Sequence, residues 1–208
     1  MKILNLYSSI WWNRKLRGDD HDITAVEMEQ ARADYYQERF PNDTVIVWDA
    51  HEYLLRNYKE FDFIRASPPC PTHSRLVFSN ETRFYKAWTM VYPDMKLYQE
   101  IILLKTRVPS NVKRVIENVI PYYDLLIPWQ TIERHIFWCN FYIPPFIWKQ
   151  WRKIRSIDWV QIVEWFDIKD TKIKNKRKAL RDMVNPELAL HILEASQIER
   201  QQNLFFER

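Results

Sequence analysis

Short apolar runs alternate with longer segments of helical composition along the first part of the chain. The runs are KILNLY at 2–7, DITAV at 22–26, TVIVW at 44–48, FDFIRA at 61–66 and VKRVIENV at 112–119. Strands that alternate with helices are typical of a parallel sheet with helices on both faces. The pattern therefore predicts an α/β fold with a Rossmann-like, mostly parallel sheet, which binds ligands at the carboxyl ends of its strands.

The segments beside these runs have the composition or the apolar spacing of helices. They cover residues 27–40, 50–61 and 93–107. After residue 134 the pattern changes, and residues 134–146 (RHIFWCNFYIPPF) again have strand composition up to the Pro144-Pro145 pair. The amphipathic tail that begins at Pro186 predicts a final helix, because proline is favoured in the first turn of a helix.

Glycine is the residue type in which the composition departs most from the average. The chain has one glycine in 208 residues, whereas an average chain of this length would hold about fourteen at the usual ~7%. Glycine lets the backbone turn tightly against a ligand. A ligand-binding loop of this protein must therefore turn without glycine, or must have lost its ligand.

The cysteines, the apolar stretches and the charge narrow the class of protein. Cys70 and Cys139 are too few for a disulfide framework, and no Cys/His cluster has zinc spacing. We therefore expect a reducing, cytoplasmic setting and no metal. No stretch approaches the roughly 18 uncharged apolar residues that span a bilayer. The net charge of +4 permits binding to a polyanion without establishing it, and a monomer is the default expectation.

The segment SPPCPTHSR, residues 67–75, follows the fourth apolar run. Cys70 is therefore expected at the carboxyl edge of the sheet, in a loop stiffened by prolines. A cysteine held in this way acts as a nucleophile when a base or a positive charge favours its thiolate. The alternative interpretation is an inert small residue in a proline-rich turn. His73 and Ser74 either tune the thiol or contact backbone, although a single loop histidine is more often solvated.

A carboxylate stands near the end of the fifth run, at Glu117 in IENV. Such a group costs free energy at the end of an apolar strand unless it has a partner or a chemical role. Alone, it is more often a capped strand end than a catalytic group. The carboxyl ends of parallel strands meet at one edge of the sheet, so Glu117 and Cys70 are expected to face the same crevice.

The two segments resemble the Pro-Cys and Glu-Asn-Val motifs of the cytosine-C5 DNA methyltransferases, in the same order and on the corresponding strands. In addition, RHIFWCNF is similar to the arginine motif of that family, and LRDMVNPELALHIL is similar to its late Asn-x-Val-Pro segment and final helix. The resemblance implies a class I methyltransferase-like catalytic core over residues 1–139. It also implies a short DNA-reading segment over 140–175 and a C-terminal helix, within 176–208, that packs back on the core.

The same resemblance implies an activity, that of a compact DNA (cytosine-5-)-methyltransferase of viral or mobile-element type. The thiolate of Cys70 would add to C6 of a flipped cytosine, and C5 would then take a methyl group from S-adenosylmethionine. Catalytic roles fall to Cys70, Glu117 and Arg134. The positions implied to meet the cofactor are Tyr7, Ser8, Ser9, Ile10, Glu27, Asp49 and Pro68.

The first cofactor loop departs from the family pattern, which is aromatic-x-Gly-x-Gly. Here the loop has the sequence YSSIWW, and Trp11 and Trp12 stand where small residues are expected. Each ring can bury roughly 150–250 Å², so the pair has the bulk to fill a cofactor pocket. A catalytically inactive, methyltransferase-like protein that binds DNA or a protein partner is therefore the alternative hypothesis. A third hypothesis keeps the thiolate addition but uses another one-carbon donor.

Basic side chains, several of them beside tryptophans, are the expected DNA contacts. Lysine and arginine bind phosphates, and aromatic rings stack on exposed bases. A solvated helix face is the alternative interpretation. Few residues separate the arginine motif from the final segment, which predicts a short or loosely defined DNA site. The candidates for DNA contact are Ser74, Arg75, Lys149, Arg152, Lys153, Lys174, Lys176 and Arg177.

Overall fold

The computed structural model describes residues 1–10, 14–15, 18–75, 91–146, 171–181 and 184–198. The sequence predictions for Trp11, Trp12, Lys149, Arg152 and Lys153 lie outside these residues, as does the one for the side chain of Arg177.

The described residues form one seven-stranded sheet with the order β3-β2-β1-β4-β5-β7-β6. Strands β1 to β5 run parallel, and β7 is antiparallel to both β5 and β6. The predicted α/β class with a mostly parallel sheet is confirmed. The strand bounds are Lys2–Leu6 (β1), Asp22–Glu27 (β2), Thr44–Val47 (β3), Phe63–Ala66 (β4), Lys113–Val119 (β5), Gln130–Ile132 (β6) and His135–Cys139 (β7).

The described helices fall in the segments that the sequence predicted, except the helix over Lys176–Arg181, which was not predicted. Their bounds are Gln30–Arg39 (α1), Ala50–Asn57 (α2), Lys96–Arg107 (α3), Lys176–Arg181 (α4) and Pro186–Ser196 (α5), with a short 3-10 helix over Tyr58–Glu60. Asp49 caps α2, since its side chain accepts hydrogen bonds from the backbone of His51 and Glu52. Asn185 caps α5 in the same way, with Pro186 in the first turn.

Apolar side chains project from both faces of the sheet, because successive strand residues point to opposite sides. On one face Leu4, Ile64 and Ile116 pack with residues of α2 and α3. On the other face Ile3, Phe63, Val115 and Phe137 pack with Leu188 and Ile192 of α5. Ala25 packs there with Tyr35 and Tyr36 of α1, and with Ala179 of α4. The sheet is therefore covered on both sides, as a mainly parallel sheet requires.

The strand order reverses direction at β1, which lies between β2 and β4. Chain connections leave this point toward opposite edges of the sheet, so the loops after β1 and β4 diverge and open a crevice at their carboxyl ends. Ligands bind in such crevices in open α/β sheets. The loop after β1 begins at Tyr7, and the loop after β4 begins at Ser67 and carries Cys70.

Candidate functional site

A cavity of about 680 Å³ lies at this carboxyl edge. Its volume falls within the roughly 300–1,000 Å³ typical of small-molecule sites. Residues at or just after the carboxyl end of each of the first five strands contribute to its wall. The lining residues include Tyr7, Ser9, Glu27, Asp49, His51, Pro68, Cys70, His73, Asp94, Glu117, Asn118 and His135.

The loop after β1 turns without glycine at two left-handed positions. Tyr7 has a φ of 56° and Ser9 a φ of 51°, conformations that cost a residue with a side chain on the order of 1 kcal/mol. Ser9 stands at the first glycine position of the resembled pattern. Its backbone N–H donates to Oε2 of Glu27 at 2.9 Å, and Arg32 donates to its hydroxyl at 3.2 Å. These bonds offset the conformational cost and hold the loop against β2.

Two of the predicted cofactor positions in this loop do not line the cavity. Ile10 is fully buried and packs with Ala25, Tyr35 and Tyr36, because an apolar side chain gains more from that core than from a polar pocket. Ser8 is buried as well, and its backbone N–H donates to Val26.

The acidic positions after β2 and β3 both line the cavity. Both carboxylate oxygens of Glu27 accept backbone hydrogen bonds at 2.9 Å, Oε2 from Ser9 and Oε1 from Glu29. Oδ1 of Asp49 accepts from the first turn of α2, while Oδ2 lies 3.9 Å from Nζ of Lys96. The backbone thus fixes the direction of each carboxylate at the edge of the cavity.

Tyr7 forms a buried cluster with two side chains that the sequence did not predict, His51 and Glu100. Oε1 of Glu100, in α3, accepts a hydrogen bond from the hydroxyl of Tyr7 and lies 3.0 Å from Nδ1 of His51. Burial raises the pKa of Glu100, and the bonds from Tyr7 and His51 oppose this effect. The cluster fixes the orientation of Tyr7 and His51, both of which line the cavity. The sequence gives no local signal for it, because the members come from three separate elements.

Cys70 lies partly exposed in the cavity wall. Its backbone carbonyl accepts hydrogen bonds at 3.0 Å from the N–H groups of His73 and of Ser74, which makes residues 70–74 a tight turn. The carbonyl of Pro68, just before it, accepts a 3.2 Å bond from Nδ2 of Asn118 in β5. Asn118 therefore ties the cysteine loop to the strand that carries Glu117.

Glu117 lines the same cavity and is held in a buried ion pair. Its Oε2 lies 2.6 Å from Nη2 of Arg65, on the neighbouring strand β4, and the two side chains are 5% and 1% exposed. Burial lowers the pKa of Arg65, and the charge of Glu117 opposes this shift. Sequence reasoning treated Arg65 as part of an apolar run; only the pairing of β4 with β5 brings it to Glu117.

Arg134, the third predicted catalytic residue, is not in the cavity wall. It is exposed in the turn between β6 and β7, next to Glu133, which has a φ of 55°. His135, one residue later, lines the cavity instead. Burial lowers the pKa of His135, and the charge of Glu117 opposes this.

The predicted DNA contacts that the structure describes lie near the rim or at the surface. Ser74 pairs with Pro121 in an isolated bridge, and Nε of exposed Arg75 donates to the carbonyl of Pro121. Lys174 is exposed just before α4, and Lys176 begins that helix. Lys178, in the same helix, lines the cavity, so the basic segment adjoins its mouth.

Metal and membrane features are absent within the described ranges. No group of three or more His, Cys, Asp or Glu side chains there is arranged to hold a metal ion. Among the helices described, none has the length and apolar character needed to cross a membrane.

No family model and no curated protein matches the chain. Solved structures that match in part include a DNMT2 mutant from Spodoptera frugiperda, with 25% identity over 57% of this chain and 35% of that one and a TM-score of 0.37. An S-adenosylmethionine-dependent methyltransferase from Agrobacterium tumefaciens matches with 14% identity over 60% of this chain and 40% of that one, at a TM-score of 0.43. A putative DNA modification methyltransferase encoded within an Escherichia coli prophage matches with 18% identity over 60% of this chain and 33% of that one, at a TM-score of 0.34.

The matched part thus spans between 33% and 40% of these proteins' own length. They are partial likenesses of fold. The strand order described above gives this chain an α/β fold of the class I methyltransferase type.

Proposed function

We propose that this protein is a DNA cytosine-5 methyltransferase that uses S-adenosylmethionine. The observation that carries the proposal is a single cavity whose wall includes Cys70 and Glu117 together with Glu27 and Asp49. The first pair suits a cytosine ring, and the second pair suits the hydroxyl and amino groups of a nucleoside cofactor.

The charges in the cavity wall support a cationic cofactor. Five carboxylates (Glu27, Glu29, Asp49, Asp94 and Glu117) and three cationic side chains (Arg32, Lys96 and Lys178) line the cavity, and the buried Arg65 beside Glu117 adds a fourth positive charge. A net acidic cavity attracts a sulfonium ion and repels the pyrophosphate of a dinucleotide. Glu27 would hold the ribose hydroxyls and Asp49 the adenine.

The chemistry of the chain's own residues would centre on Cys70. Its thiolate adds to C6 of cytosine, so that a Sγ–C6 bond forms and the C5–C6 π electrons make C5 nucleophilic. The carboxyl group of Glu117, held by Arg65, would accept a hydrogen bond from the exocyclic amine and relay a proton from solvent to N3, where the negative charge collects. S-adenosylmethionine, when bound, supplies the methyl group that C5 takes. Loss of the C5 proton then breaks the Sγ–C6 bond and restores the aromatic ring.

The base would have to leave the duplex to reach this cavity. Lys174 and Lys176, with Arg134 on the same edge of the sheet, are suited to bind the phosphates that flank the flipped nucleotide.

A covalent trap tests the proposal. Duplex DNA that carries 5-fluorocytosine should form a denaturation-resistant complex with the protein in the presence of S-adenosylmethionine, because fluorine at C5 blocks the final elimination. Cys70→Ala should abolish the complex, and Cys139→Ala, at the other cysteine, should retain it. If no complex forms although calorimetry shows cofactor binding, the proposed reaction is wrong.

The hydrogen bonds of Glu27 favour a second candidate function. In this alternative the protein is catalytically inactive and methyltransferase-like, and it binds DNA or a protein partner. Both carboxylate oxygens of Glu27 already hold backbone N–H groups, which leaves less capacity for ribose hydroxyls. This candidate predicts no heat of binding in a titration with millimolar S-adenosylmethionine. Binding of the cofactor in that titration would exclude it.

A further inference from the structure

Cys70 and His73 lie on the same tight turn and line the same cavity. The carbonyl of Cys70 accepts both the i+3 and the i+4 N–H groups at 3.0 Å, which is the pattern of one helical turn. Residues three apart on such a turn have Cβ atoms about 5–6 Å apart. An imidazole and a thiol at this spacing can meet after side-chain rotation, although Nε2 and Sγ form no hydrogen bond in the structure.

His73 is not the solvated loop histidine that is usual in such segments, since it is 1% exposed. Its Nδ1 is hydrogen-bonded with the hydroxyl of Tyr123. Its Nε2 is buried and has no hydrogen-bond partner within the described part of the chain. A buried polar atom without a partner costs free energy, and in a cavity beside a nucleophile it is a candidate for a chemical role.

A proton acceptor at Nε2 requires the tautomer in which Nδ1 carries the hydrogen and donates it to the hydroxyl of Tyr123. Burial raises the pKa of Tyr123, and a hydrogen bond with Tyr98 raises it further, as expected if Tyr123 donates its proton to Tyr98. Its oxygen is then free to accept Nδ1–H of His73, which leaves Nε2 as the acceptor. Tyr123 follows β5 and Tyr98 lies in α3, so two elements outside the turn fix the orientation of the ring.

The charge state of His73 also suits a base. Burial is the largest influence on its pKa and lowers it, so the ring is neutral at neutral pH; Asp94 acts in the opposite direction. The carboxylate of Asp94, just before α3, is the charged group that faces the ring, and it would stabilise an imidazolium once the ring takes a proton.

We propose that His73 is the base that takes the thiol proton of Cys70. This proposal rests on the proposed function in one respect, which is that the thiolate then attacks C6 of cytosine. The Sγ–H bond breaks as an Nε2–H bond forms, and the electron pair left on sulfur makes the bond to C6. When the Sγ–C6 bond breaks at the end of the cycle, Nε2 returns the proton to sulfur. The C5 proton of the substrate leaves to water, so one proton is released for each methyl group transferred.

Alkylation of Cys70 by iodoacetamide tests this proposal without DNA or cofactor. The thiolate is the species that reacts, and its rate is measured by intact mass from about pH 5.5 to about pH 9.5, which is about one unit beyond the ordinary histidine and cysteine pKa values. The background is Cys139→Ala, which removes the second thiol. We expect His73→Gln to lower the rate at pH 7 by about tenfold and to move the midpoint of the profile upward by about one unit.

Two further variants make the result decisive. His191→Gln removes a histidine of α5 that bonds to the carbonyl of Pro144 outside the cavity, and it should leave the profile unchanged. Tyr123→Phe retains His73 but removes its Nδ1 partner, and it should give a smaller loss; it carries the test if His73→Gln does not fold. If His73→Gln reacts at the same rate as the Cys139→Ala background, the proposal is overturned. If His73→Gln does not fold, an equal rate for Tyr123→Phe and the Cys139→Ala background overturns it. Altered alkylation with no fluorocytosine complex would overturn the proposed function alone.

Discussion

Buried polar side chains at the carboxyl edge of the sheet have partners drawn from other elements. Arg65 pairs with Glu117, Glu100 with Tyr7 and His51, and His73 with Tyr123. Burial of an isolated charge or polar group is costly, and a partner removes part of that cost. The positions of these side chains are therefore set by their partners, and a cavity lined with them has fixed chemical groups.

The ion pair between Arg65 and Glu117 gives a prediction at the residue scale. Removal of one partner leaves the other as an uncompensated buried charge, which costs about 3–5 kcal/mol. We expect Arg65→Met and Glu117→Leu each to lower the free energy of unfolding by about that amount. The double variant should lose much less than the sum, because a pair of apolar side chains of similar volume leaves no buried charge.

Urea denaturation of the four proteins of this cycle measures the coupling. The matched control is the exposed pair Glu52 and Arg56, whose nearest charged atoms are 3.9 Å apart. That pair should show coupling below about 0.5 kcal/mol, as is usual for exposed pairs in helices. Additive losses at Arg65 and Glu117 would mean that the two side chains do not stabilise each other.

At the scale of elements, β5 joins the two halves of the candidate catalytic site. Its alternating side chains put Glu117 on the face that holds Arg65 and put Asn118 on the opposite face, toward Pro68. The segment after β5 also pairs with the cysteine turn, through the N–H of Tyr122 and the carbonyl of His73 at 3.2 Å. The strand therefore positions Glu117 and the loop that carries Cys70 together.

Asn118→Asp should loosen the cysteine turn. The aspartate keeps the oxygen that accepts the N–H of Val119, but it loses the N–H group that donates to the carbonyl of Pro68. A carboxylate oxygen then lies against that carbonyl oxygen in a buried position. We expect a loss of about 1–3 kcal/mol in the free energy of unfolding and faster hydrogen exchange of the amides of His73 and Ser74, measured by mass spectrometry.

Asn140→Asp is the matched control for this exchange experiment. Asn140 makes similar amide-to-carbonyl bonds, to Ser110 and Val112, at the opposite end of β5. Its substitution should leave exchange of the turn at residues 70–74 unchanged. Slow exchange of that turn in Asn118→Asp would show that the loop is held by other contacts.

At the scale of the whole molecule, charge is divided between an acidic cavity and a basic segment at its mouth. The five carboxylates of the cavity wall belong to a chain with a net charge of +4. Lys178 lines the cavity, and Lys174 and Lys176 lie just before α4 and at its first residue. This arrangement suits a cationic cofactor inside and a polyanion outside.

Salt dependence tests whether this basic segment contacts phosphates. The logarithm of a DNA association constant falls with the logarithm of salt concentration, with a slope of about 0.9 for each phosphate contact. We expect Lys174→Ala/Lys176→Ala to reduce that slope by about two units on a cytosine-containing duplex, measured by fluorescence anisotropy.

Lys105→Ala/Arg107→Ala is the corresponding charge-matched control. Both residues are exposed in the last turn of α3, and this end of the helix leads to the amino end of β5, away from the cavity. The control pair should leave the slope unchanged. Equal slopes for the two double variants would place the DNA on another surface.

The local pattern of the sequence determined most of the fold. Each apolar run of the first 119 residues became a parallel strand, with end points that differ by two residues or fewer, and the helices fell between them. Burial of apolar side chains at a period of two or of 3.6 acts on near neighbours, so it can be seen in the sequence. Strand β6 was missed, because three residues at the sheet edge are too few to show a period.

The sequence also brought Cys70, Glu117, Glu27 and Asp49 to one edge, because the carboxyl ends of parallel strands meet there. Only the tertiary structure decided which partners these residues have. Arg65 reaches Glu117 through the register of β4 with β5, His73 is buried through Tyr123, and Arg134 stays outside the cavity in a turn. Such contacts join residues that are distant in the chain, and their geometry depends on how the elements pack. A local pattern therefore indicates where the site lies, and packing decides the surroundings of its side chains.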